Sequence, residues 1–102
     1  MAKLPKLVRD NIPDIIRADN REPVTRILSE DEYVGELEKK LQEEVTEYII
    51  DKNIEELADI LEVVYALAST LDATPEEVEM VRLNKKQKNG AFNNRILLDK
   101  IK

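Results

Sequence analysis

With 102 residues and a formal net charge of −6, the chain has room for one small domain and carries the wrong sign for a nucleic-acid backbone, whose binding rests on clustered Lys and Arg. Charged residues make up 37% and aromatics 4%, with two Gly and four Pro, a balance that favours helices over a sandwich or barrel. The absence of Cys and His removes thiol nucleophiles, Ser-His and Cys-His catalysis, disulfides and imidazole metal sites, so a metal has to be held by oxygen.

The predicted elements follow the capping signals. Pro13 suits the first position of a short helix that continues through Ala18 and stops at Asn20. Residues 23–28, PVTRIL, have the character of a short strand or a linker. Ser29 with Glu32 three residues on forms a capping box for a helix to about residue 51. Asn53 with Glu56 opens a second long helix, to about residue 72, and Thr74-Pro75-Glu76-Glu77 opens a third that ends near Asn89-Gly90. Residues 92–102 read as a short strand or a docking tail. With no internal repeat or linker, residues 1–102 read as a single domain. The opening MAKLPKLVRDNIP has no apolar leader core and no 18-residue apolar run occurs, so the expected location is cytoplasmic.

Residues 57–71, LADILEVVYALASTL, are the most informative stretch: 11 of 15 are apolar, and the only charges are Asp59 and Glu62. A helix apolar on nearly every side is expected to be buried, and a carboxylate within it calls for a partner, of which a cation is the most economical. On the preceding helix Val34, Leu37, Leu41, Val45 and Tyr48 recur at helical spacing, with Glu44 on their side and Glu47 one turn further on. Glu56 and Asp59 repeat that i, i+3 relation. A short connection makes the two helices antiparallel, so four carboxylates can converge. An all-oxygen set suits Mg²⁺, Mn²⁺ or Ca²⁺. Glu43 and Glu62 are either solvated neighbours or further members of the group.

These residues resemble a known family. KKLQEEVTEY followed by EELADILEVVYAL is similar to the MazG-like, all-α nucleoside triphosphate pyrophosphohydrolases, whose hallmark is E-E-x-x-E followed by E-x-x-D. The flanks KLVRDNIPDII and KNGAFNNRILL look like those of a small single-domain branch of predicted house-cleaning enzymes, with a K-L-V-R-D-K-I-P start and an R-G-G-F-x-x-R-I close. Asn11 stands where that branch usually has Lys, Lys88-Asn89-Gly90-Ala91 replaces a more basic, Gly-rich form, and the gap between Glu47 and Glu56 is shorter than in many such domains.

The resemblance implies an antiparallel helical bundle completed by homo-oligomerisation, at least a homodimer. It implies Mg²⁺, or Mn²⁺, on Glu44, Glu47, Glu56 and Asp59, and phosphate contacts from Arg9, Lys85, Lys88 and Arg95. It implies cleavage between the α and β phosphates of a nucleoside triphosphate to give a monophosphate and pyrophosphate, with Glu43 or Glu47 orienting water or taking its proton. Base recognition would fall to side chains such as Tyr65, Phe92 or Asn94. Two alternatives stand beside it: the related phosphoribosyl-ATP pyrophosphohydrolase, and a non-enzymatic helical dimerisation or regulatory module whose acids serve the fold. The basic residues have an ordinary reading too, since Lys near a helix C-terminus offsets the macrodipole and Arg9 can pair with Asp10.

Overall fold

Each helix of the chain begins where a side chain or a proline relieves the unpaired amides of a first turn. The computed structural model describes residues 4–102, which form four α-helices and no strand. The fold class is all-α. Helix α1, Ile12–Ala18, has Pro13 in its first turn and an Arg17–Asp14 ion pair of 2.8 Å along its surface. Residues 23–28 form neither strand nor helix, and Val24 and Ile27 are both 97% exposed. Extended character needs a neighbouring strand to become one, and none is offered.

Helix α2, Glu30–Asp51, starts on a complete capping box: Ser29 Oγ accepts from the Glu32 amide at 3.3 Å, and the Ser29 amide donates to Glu32 Oε1 at 3.2 Å. It stops at Lys52, whose left-handed backbone (φ 50°, ψ 51°) turns the chain while its amide donates to the Tyr48 carbonyl at 2.7 Å. Asn53 then caps α3, Ile54–Thr70, its Oδ1 accepting from the Glu56 amide at 2.9 Å. Only Lys52 and Asn53 separate α2 from α3, so the two form an antiparallel hairpin with extensive mutual contact. Helix α4, Pro75–Asn89, has a second capping box, Thr74 with Glu77, and ends at Gly90, where φ of +88° favours a residue without Cβ.

The buried residues of the described chain all lie in the hairpin: Leu37 and Glu44 on α2, Val63 and Ala68 on α3. Helix α4 meets α3 more sparingly, around a surface cleft lined by Tyr65, Pro75, Met80 and Leu83, and α1 packs on no other helix. The expectation of a buried helix over residues 57–71 therefore holds only along one stripe. Leu57 and Leu61 are about half exposed and Leu71 is 80% exposed, because α2 covers one side of α3, α4 meets it only sparingly, and among the described residues no other helix packs on it. The shape agrees: the radius of gyration is 17.7 Å, where a compact domain of this length would have about 13 Å. Among the described residues no helix is long and apolar enough to cross a membrane.

Candidate metal centre

The hairpin places carboxylates from both of its arms at one point. Glu44 lies on the buried stripe of α2, one turn beyond Leu41 and two beyond Leu37; Glu56 and Asp59 occupy the first two turns of α3. One carboxylate oxygen from each of the three lies within 4.8 Å of the other two. The span between opposite oxygens around an octahedral Mg²⁺ is about 4.2 Å, twice the usual Mg–O distance, so modest closure would bring the group to ligand distance.

The electrostatics of the group are those of crowded carboxylates, two of them with an oxygen left unpaired. Glu44 is only 7% exposed, and its Oε2, like Glu56 Oε2, is buried without a hydrogen-bond partner. A buried unpaired carboxylate oxygen is costly, since it has surrendered water and received nothing in return. Burial pushes the Glu44 carboxyl above the usual carboxylate range, with Glu47 and Asp59 adding to the rise and Lys40 opposing it. Glu56 is raised in the same way, by loss of solvent first and then by Glu47, Asp51 and Asp59. An all-oxygen set of this charge fits a hard divalent cation.

Two cations of the chain itself reach this group. Arg9 Nη2 donates to Asp59 Oδ1 at 2.7 Å, from a segment fifty residues away, and Lys40 Nζ sits 3.6 Å from Glu44 Oε1. Sequence reading expected Arg9 at a phosphate or beside Asp10; it lies on Asp59. Lys40 was not singled out, although its i, i+4 spacing to Glu44 is a visible signal. The Arg9 contact has no comparable spacing rule.

The other predicted acids stand apart to different degrees. Glu47 is exposed and does not share the three-residue group, yet it is close enough to raise both Glu44 and Glu56. Its i, i+3 offset from Glu44 turns it about 60° around the helix from that residue. Glu43 and Glu62 are exposed and outside the group. Lys85, Lys88 and Arg95 lie at the end of α4 and beyond it, and among the described residues no ion pair joins them to the acids. Lys85, with Arg82, Lys86 and Phe92, lines a basic surface cleft of about 410 Å³ that includes none of the three acids. Of the side chains named for base recognition, Tyr65 and Phe92 border different clefts, and Phe92 is 97% exposed.

One segment of the chain is similar to a known protein. Over 42 residues the chain is 60% identical to an uncharacterized protein of Mycolicibacterium smegmatis, a match covering 41% of this chain and 43% of that protein. No family model matches the chain, and no solved structure matches it.

Proposed function

We propose that the chain is a Mg²⁺-dependent nucleoside triphosphate pyrophosphohydrolase of the MazG-like type, active as a homo-oligomer on non-canonical nucleotides. The observation that supports this most is the convergence of Glu44, Glu56 and Asp59, with two buried carboxylate oxygens left unpaired. Glu44, Glu56 and Asp59 would hold the ion, with Glu47 at the rim as a fourth carboxylate. When bound, the ion supplies charge stabilisation of the phosphoryl oxygens and a lowered pKa for water.

The remaining work falls to the chain. Glu47 sits at the edge of the group, where a carboxylate can orient the attacking water and accept its proton; Glu43, exposed on the adjacent position, is the second candidate. Water attacks one phosphorus of the α–β anhydride, the bridging bond breaks, and nucleoside monophosphate and pyrophosphate leave. No covalent intermediate is needed, consistent with a chain without Cys or His. Lys85, Lys88 and Arg95 are proposed as phosphate contacts brought to the acids by a second subunit, since within one chain they are not paired with them. The half-exposed Leu57 and Leu61 on α3 support that association, because an unpartnered apolar helix face calls for cover.

The test is pyrophosphate release from a panel of standard and modified nucleoside triphosphates, with Mg²⁺ or with EDTA, beside Asp59→Asn. Metal-dependent release lost in the variant is the expected result. No release from any nucleotide would leave the second reading, a helical dimerisation module, which the uncovered face of α3 also favours.

A further inference from the structure

The acidic group already has two of the chain's own cations against it, Lys40 from within the hairpin and Arg9 from outside it. Arg9 Nη2 takes Asp59 Oδ1 at 2.7 Å, while Asp59 is one of the three residues whose oxygens share a metal-sized space. The oxygens left without partners are on Glu44 and Glu56, the two members that Arg9 does not contact. Both partners of the ion pair are substantially exposed, 57% for Arg9 and 40% for Asp59, so the pair can open without disturbing the hairpin core. Arg9 also precedes α1 on a non-helical segment, and α1 packs on no other helix.

We propose that Arg9 is the resident counter-ion of the metal centre, competing with a divalent cation for Asp59 and released to the rim of the site when the cation binds. The proposal rests on the metal-centre reading given above. A divalent ion taking the Asp59 oxygen that Arg9 holds would meet the guanidinium at ligand distance, and the repulsion between the two cations favours release of the guanidinium. Once released it stays tethered beside the ion, where its fork of donors suits an incoming phosphate oxygen. Arg9 would thus act before the substrate arrives, by keeping Asp59 neutralised, and afterwards as an anion contact.

The test combines Mg²⁺ calorimetry on the wild type and Arg9→Gln with ¹⁵N NMR of the arginine side chains, assigned by Arg9→Lys. Loss of an exposed ion pair predicts that Arg9→Gln binds Mg²⁺ roughly two- to fivefold more tightly. In the wild type, Mg²⁺ should move the Arg9 guanidinium signals from a restrained to a freely rotating state, and Asp59→Asn should do so without metal. Mg²⁺ binding with unmoved Arg9 signals, or with equal or weaker affinity in Arg9→Gln, overturns the competition and leaves the metal centre standing. No Mg²⁺ binding by either protein overturns both. Because the NMR signal is read on the wild type, the outcome does not depend on how well a variant folds.

Discussion

The α2–α3 hairpin and the stretch from α4 to the last residue divide the work of this chain unequally. The hairpin holds every buried residue of the described chain: Leu37, Val63 and Ala68, and the one buried carboxylate, Glu44. Beyond Thr74 nothing is buried; Phe92, Ile96, Leu97, Leu98 and Ile101 are 71–97% exposed, yet this stretch carries the basic residues Arg82, Lys85, Lys86, Lys88 and Arg95. The contrast teaches that a chain can build an acidic group into its core while its basic residues stay on an uncovered surface, the arrangement that the proposed second subunit would complete. The core and the acidic group belong to the first region; metal binding there and phosphate binding by the second are the proposed division of work.

Substitutions at Leu61, Leu37 and Thr74 separate the two regions, in descending order of effect. Leu61→Asp puts a charge on the half-exposed face of α3 and should convert the proposed oligomer to monomer or unfold the chain, as light scattering and circular dichroism would read; a folded oligomer would count against this packing. Leu37→Ala, at a residue 3% exposed, should cost about 2–5 kcal/mol in denaturant unfolding. Phe92→Ala in the tail should leave that unfolding unchanged at protein concentrations where the chain is monomeric. Thr74→Ala removes the cap of α4 and should cost roughly 1 kcal/mol, and a loss as large as that of Leu37→Ala would mean that α4 is part of the core after all.

The smallest effect is a pH dependence. Glu44 and Glu56 have folded pKa values raised above the ordinary 4.5, so just above that value the folded chain binds more protons than the unfolded one. Metal-free stability should therefore fall as pH rises through this window. Glu32 and Glu79 are lowered by Arg26 and Arg82 and contribute with the opposite sign, their stabilisation being lost as pH falls. Comparing wild type with Glu44→Gln isolates the first trend: the variant should gain in relative stability toward neutral pH, and saturating Mg²⁺ should remove the gain. Equal pH profiles would show that Glu44 finds a partner in solution.

Much of the fold was legible because the helix starts are written in local chemistry. Ser29 with Glu32, Asn53 with Glu56 and Thr74 with Glu77 each placed a boundary to within a residue, and each bond is present. Glu44, Glu56 and Asp59 were legible as a group because helical period and a short connection fix which residues face each other. Glu47 was assigned with them, but it is exposed and outside the three-residue group, although the same i, i+3 step keeps Glu56 and Asp59 together. The uncovered sides of α3 could not be read from its composition, which reports that a face is apolar and not what covers it. The Arg9–Asp59 pair depends on how an irregular segment lies across α3, a tertiary fact without a sequence period.

The most direct test of the account is the anomalous scattering of Mn²⁺ in crystals of the full chain grown with that ion. The account predicts a peak in ligand contact with Glu44, Glu56 and Asp59, with Arg9 withdrawn from Asp59. Crystals holding Mn²⁺ elsewhere, with the three carboxylates still unligated and Arg9 in place, would contradict it.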